Sequence, residues 1–180
     1  MRFVRNSSFL WAMGLISLSA GGAAAVAQTG SQPSAADKHF VKAALRGGMA
    51  EVKLGQLAAE KGSSDDVKTF GQKMVDDHTK LGEQMKTVAG QIGVTPPTVL
   101  SPADLALEAK LKMLSGDAFD KAYIGAMVKD HQEDLNDFKK EISTASSSTV
   151  KDAAEQGEKV ISKHLEMIQK IAQQHQVASN

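Results

Sequence analysis

Histidine is scarce in this chain, five in 180 residues, and two of the five stand in the same surroundings. Residues 70–78 read FGQKMVDDH and residues 123–131 read YIGAMVKDH. A shift of 53 positions places Phe70 on Tyr123, Met74 on Met127, Val75 on Val128, Asp77 on Asp130 and His78 on His131. Imidazole is a common ligand for transition metals and is costly to bury without a partner. The repeat therefore predicts two helices that each turn an imidazole toward one interior. Asp77 and Asp130 are one step away, rotated by about 100° around a helix, at the edge of the inward face. They suit second ligands, or partners that orient an imidazole. Met74 and Met127 lie four residues before the histidines on the same face. Thioether with imidazole would suit copper, whereas carboxylate with imidazole suits iron, manganese or zinc.

The elements that must position these groups are helical. After residue 34, apolar residues recur every three or four positions. A first helix is expected over residues 35–61, with Ser34 and Asp37 as a capping pair and Gly62 as a left-handed stop. Its inward stripe is Phe40, Ala44, Gly47, Glu51, Leu54 and Ala58. A second helix is expected over residues 65–92, with Val67, Phe70, Met74, His78, Leu81, Met85, Val88 and Ile92 inward. Pro96, Pro97 and Pro102 then forbid a continuing helix, and Ser101-Pro102 opens a short one to about residue 114. A third long helix over residues 117–144 carries Ile124, Met127, His131, Leu135, Phe138 and Ile142 inward. A fourth over residues 149–174 carries Val150, Ala154, Gly157, Ile161, His164, Ile168 and Ile171.

Each long stripe thus contains one polar residue where an apolar one belongs: Glu51, His78, His131 and His164. Their distances from the turns match, so at about 1.5 Å per residue they fall in one slab on the order of 8 Å thick. Four long amphipathic helices with no strand signal imply an all-α, four-helix bundle with a long middle connection containing a short helix. The two outer connections are short and make helical hairpins. The middle segment is long enough to cross the bundle, and a simple up-and-down arrangement with a decorated loop is the alternative.

The N-terminus reads as a secretory signal peptide over residues 1–27. Arg2 and Arg5 precede an apolar run from Phe9 to Ala20, and Ala25-Val26-Ala27 is an A-x-A cleavage site. The run is shorter than the roughly 20 residues that span a membrane. Residues 28–34 follow as a flexible tether, and residues 35–176 as the bundle domain. The expected compartment is therefore the periplasm, or the envelope or exterior beyond it. Without Arg2 and Arg5 the chain has 19 basic and 21 acidic residues, and no basic patch with interleaved aromatics for nucleic acid. There is no cysteine, so disulfides, thiolate metal sites and thiol catalysis are excluded. No face is marked for a protein partner, and a homo-oligomer stays open.

Other readings of the same residues compete. Buried imidazoles are also satisfied by hydrogen bonds alone, and Met at stripe positions fills gaps. His39 and His175 lie near helix ends and read as surface residues. The Glu-x-x-His pair of di-iron bundles is missing, because Val75, Val128 and Ile161 stand three before the histidines. No nucleophile–base triad, phosphate loop or dinucleotide motif is present, which leans against an enzyme. Three readings remain: a metal-binding bundle, a metal-free structural or stress-related envelope protein with a hydrogen-bonded polar core that acts through a surface or a partner, and a sensor or small-ligand bundle in which Gly47, Gly48 and Gly71 make room beside the layer.

The segments EVKLGQLAAEKGSSDDVKTFGQKMVDDHTK, LSGDAFDKAYIGAMVKDHQEDLNDF and KHLEM resemble the "domain of unknown function 4142" family, exported bacterial proteins of ferritin-like four-helix architecture. The resemblance covers about residues 36–170. It implies recurrent positions at Glu51, Asp77, His78, Phe119, Asp120, Tyr123, His131 and His164, and it implies no activity. Glu158-Lys159 stands where the family tends to carry Leu-Pro, which should straighten the fourth helix.

Overall fold

The computed structural model describes residues 31–178, so the expected leader and the first residues of the tether lie outside the described part. Among the described residues there are five helices and no strand: α1 (Ala35–Lys61), α2 (Asp65–Ile92), α3 (Pro102–Lys112), α4 (Gly116–Thr144) and α5 (Ser148–Gln174). The four long ones form a bundle, and α3 lies in the connection between its halves.

Local sequence explains most of the boundaries. Ser34 and Asp37 form a reciprocal capping box at the start of α1, and Ser101 and Asp104 form another at α3, with Pro102 in its first turn. Gly93 ends α2 in the left-handed conformation at φ 71°, and Gly116 starts α4 at φ 58°. Gly62 departs from expectation. Its φ is −48°, so it is no left-handed stop. A β-carbon there would meet the Ala58 carbonyl at 2.6 Å, so glycine is needed for space. The short helix ends at Lys112, two residues before the expected end.

Topology follows from two buried aspartates. Asp120, near the start of α4, accepts from the Ser63 and Ser64 amides at 2.8 and 2.9 Å and from the Ser64 hydroxyl. Asp37, near the start of α1, accepts from the Ser146 and Ser147 amides at 3.2 and 3.0 Å. Each hairpin turn is therefore tied to the first helix of the other hairpin. The start of α4 lies at the end where α1 finishes, so α1 and α4 run antiparallel and α2 and α4 run parallel. The chain from α2 to α4 must travel the length of the bundle, which selects the crossover arrangement over the up-and-down one. Lys61 secures its arrival by donating to the Lys112 carbonyl at 2.6 Å.

The core is split. One apolar cluster contains Leu54, Phe70, Met74, Tyr123, Met127 and Ile168; the other contains Phe40, Leu45, Met85, Phe138, Val150 and Ile161. Glu51, His78, His131 and His164 are buried and belong to neither. All the inward positions expected on the second and fourth long helices are buried, except Leu81, which is half-buried. On α1 the expected stripe holds at Phe40, Glu51, Leu54 and Ala58. Ala44 and Gly47 are only half-buried, and Val41 and Leu45, which flank that stripe, are buried as well.

Candidate metal centre

Each helix of the bundle delivers one member of the layer. Glu51 comes from α1, His78 from α2, His131 from α4 and His164 from α5, and their exposures range from 0 to 4 %. The three imidazole centroids are 5.1, 5.6 and 5.9 Å apart. Phe70 roofs them, with its ring 6.3 Å from His131 and 6.1 Å from His164. The approach of α1 to α2 is set by Gly55 and Gly71. A β-carbon on Gly71 would meet the Gly55 carbonyl at 2.7 Å. That close packing lets Glu51 Oε2 reach His78 Nδ1 at 2.9 Å.

Each of the three imidazoles has one ring nitrogen held by an oxygen on its outer side. His131 Nδ1 lies 3.0 Å from the Met127 carbonyl oxygen and must donate to it. His164 Nε2 lies 2.9 Å from Asp77 Oδ2. His78 Nδ1 faces Glu51 as above. The other three nitrogens, His78 Nε2, His131 Nε2 and His164 Nδ1, are left for the interior. His78 Nε2 and His164 Nδ1 are 3.2 Å apart. Two nitrogens bound to one tetrahedral ion at 2.0–2.1 Å would be about 3.3 Å apart. His78, His131 and His164 together present ligand atoms that all lie within 4.8 Å of one another. Glu51, Asp130 and His131 make a second such group that shares His131.

Two polar atoms of this layer, Glu51 Oε1 and His131 Nε2, have no hydrogen-bond partner, and neither has the buried Tyr123 hydroxyl. Glu51 Oε1 lies 3.6 Å from His131 Nε2, too long for a good hydrogen bond. Buried unpartnered polar atoms are few in folded proteins, and two facing each other, Glu51 Oε1 and His131 Nε2, call for a physical reason.

Burial governs the charges. It pushes the imidazoles of His78 and His164 down to about 4 and that of His131 to about 3, so all three are neutral at neutral pH. Burial also pushes the Glu51 carboxyl up, with a further push from Asp104, so it holds its proton. Asp130 is pushed up to about 7 by burial and then by Glu51. Burial opposes ionisation of Asp77 too, but hydrogen bonds from Lys73 and His164 outweigh it and keep the group a carboxylate. A consistent proton arrangement follows. Protonated Glu51 donates to His78 Nδ1, His78 Nε2 donates to His164 Nδ1, and His164 Nε2 donates to the Asp77 carboxylate.

The structure brings together Glu51, His78, His131 and His164, with Asp77 and Asp130 beside them. Asp77 does not serve the histidine that follows it. It crosses to α5 and holds His164, and Lys73 holds it in turn at 2.8 Å. Met74 and Met127 are fully buried in the apolar cluster with Phe70 and Tyr123. Asp134 was not expected from the sequence. It lines a small internal cavity with Glu51 and His78, and burial followed by Glu51 raises its carboxyl. Its position three residues after His131, on the same helical face, was the available signal. Asp120, part of the resemblance, belongs to the fold lock and not to the layer. His39 is exposed as expected, but His175 is half-buried and lies 3.0 Å from Asp66 Oδ2.

Fold and site together define a helical crossover bundle with one buried histidine–carboxylate layer at mid-height. The chain belongs to the family described as Domain of unknown function (DUF4142), whose model matches residues 22–171. It is similar in fold to two solved structures. A DUF305 fragment from Deinococcus radiodurans is 15 % identical, with a TM-score of 0.71 over 80 % of this chain and 99 % of that one. A DUF305 protein from Streptomyces coelicolor, provisionally described as secreted, is 13 % identical, with a TM-score of 0.67 over 81 % of this chain and 96 % of that one. No curated protein matches. Among the described residues no helix is long and apolar enough to cross a membrane.

Proposed function

We propose that this protein is an exported bundle that binds one transition-metal ion through His78, His131 and His164. Glu51 completes the set, and Asp77 fixes the orientation of His164. The observation that carries this reading is the pattern of the nitrogens. Three imidazoles are each pinned on the outer side by a carboxyl group or a carbonyl, which is how metal-ligating histidines are usually held. Their inner nitrogens converge beside a carboxyl oxygen of Glu51 that has no partner. Three imidazoles with a carboxylate suit zinc, iron or manganese, and copper would gain from Met74 or Met127 only if a thioether turned to the ion. Asp130 is placed as a neighbouring carboxylate that would respond to the ion's charge.

The test is metal content of the mature protein, isolated from the periplasm without an affinity His-tag and read by plasma mass spectrometry. About one ion per chain is expected. The double variant His78→Ala with His131→Ala should lose it while keeping its helicity. Unchanged stoichiometry in that variant, or a wild-type protein that neither carries nor takes up an ion, would reject the site.

One observation favours a second reading, a purely structural polar core. The hydrogen-bond chain from Glu51 through His78 and His164 to Asp77 closes without an ion. In that case His78→Leu should be neutral or stabilising, since an apolar replacement of a buried polar network often is.

A further inference from the structure

Four helix-interior glycines, Gly47, Gly48, Gly82 and Gly90, lack the close approach that explains Gly55 and Gly71, and two of them, Gly48 and Gly82, border the space beside the layer. Gly55 and Gly71 are where α1 and α2 touch, and a β-carbon on either would fall within 3 Å of backbone. A β-carbon on Gly48 or Gly82 would meet nothing within 4 Å. Both sit inside long helices, where glycine costs roughly 1 kcal/mol relative to alanine. No close approach repays that cost.

These two residues stand between two spaces. Outside them is a groove of about 370 Å³ along α1 and α2, with Leu45, Met49 and Val52 among its walls and Pro96-Pro97 of the crossover over it. Inside them is a cavity of about 30 Å³ bounded by Glu51, His78, Asp134 and the apolar residues Phe138 and Ile161. Gly48, Gly82 and His78 border both spaces. Glu51, which lines the cavity, is 2 % exposed, and its Oε1 has no partner.

We infer that Gly48 and Gly82 frame a port through which a small uncharged molecule, of water to dioxygen size, reaches the histidine layer and seats beside Glu51 and Asp134. The inner cavity holds about one water-sized molecule. The groove walls are mostly apolar, which suits an uncharged visitor better than a hydrated cation. Lys86 at the mouth is paired with Glu83 at 2.8 Å, and the other charged residue of the wall, Lys53, is cationic, so the rim has no excess negative charge to draw in a cation. The role of the port as a ligand channel rests on the metal reading above, but the port itself is tested without metal.

The probe is dissolved dioxygen under pressure, whose paramagnetism speeds the relaxation of nuclei it approaches. The sample is the metal-free mature protein with labelled histidines. The His78 ring should relax several-fold faster under oxygen than without it, despite its burial. Gly82→Val, and separately Gly48→Leu, should cut that enhancement at least threefold, while exposed His39 serves as the unchanged reference. Should the valine variant fold poorly, Gly82→Ala adds one carbon into open space and should give a partial reduction. An enhancement at His78 that is negligible in the wild type, or equal in wild type and variants, would overturn the port. A negative metal analysis would leave this result standing and remove only the reading of the visitor as a metal ligand.

Discussion

Replacing glycine by alanine at two positions of the first hairpin should change stability with opposite signs. At Gly71 the new β-carbon would lie 2.7 Å from the Ala59 nitrogen, 2.7 Å from the Gly55 oxygen and 2.8 Å from the Ala58 β-carbon. Ordinary contacts of such atoms are about 3.5 Å, so α1 and α2 must part by roughly 0.7 Å. Two of the three opposing atoms are backbone and cannot swing away. Overpacking of this kind costs about 1–3 kcal/mol, and better helix propensity returns at most about 1 kcal/mol. The net loss is about 1–2 kcal/mol, or about 3–6 °C in Tm for a domain of this size. At Gly48 the β-carbon meets nothing, so only the propensity gain remains, about 0.5–1 kcal/mol and about 1–3 °C upward. The assay is thermal and urea unfolding of metal-free protein followed by far-ultraviolet circular dichroism. Gly71→Ala should also weaken metal binding, because the same approach holds Glu51 against His78. A Gly71→Ala protein that melts at or above wild type, or a Gly48→Ala protein that melts below it, would refute the distinction between a packing glycine and an open one.

Two pH effects follow from the same geometry. Binding of an ion must free His78 Nε2, so the ring takes its proton on Nδ1 from Glu51 and one proton leaves the site. Affinity should therefore rise about tenfold per pH unit below the raised Glu51 carboxyl and flatten above it, and calorimetry in buffers of different ionisation enthalpy should count about one proton per ion at pH 7. A count of zero, unchanged in Glu51→Gln, would contradict this proton arrangement. Separately, burial alone would raise Asp37, but hydrogen bonds from Ser146, Ser34 and Ser147 hold it below its usual range, while the facing Glu141 is raised by burial and by Asp37. A carboxyl lowered by folding contributes stability above its unfolded value of 3.8, and that stability is lost as pH falls through the lower folded value. Asp37→Ala should cost about 2–3 kcal/mol at pH 7, where the Ser146 and Ser147 amides lose their acceptor, and should show a shallower loss on acidification, both read from urea unfolding against pH.

The helices and their one polar residue each were legible in the chain because both rest on local rules. A 3.6-residue period, a capping serine and a proline act over a few positions, so the boundaries of α1 and α2 and the inward places of Glu51, His78, His131 and His164 follow from the residues in order. What depends on distant segments was not legible. Asp37 read as a capping residue, and only the folded chain shows it receiving the turn 110 residues away. The crossover was one of two arrangements until Asp120 reached Ser63 and Ser64. Asp77 read as a neighbour of His78 and turned out to hold His164, because a residue at the edge of one stripe meets the adjacent helix. Gly71 and Gly48 looked alike as small residues beside the layer, and only the distance to the facing backbone separates a contact from an opening. Sequence periodicity determined which side chains turn inward. The partner each one meets was decided by tertiary structure, since hydrogen bonds and steric contacts depend on separations of a few tenths of an ångström that no pattern along one helix encodes.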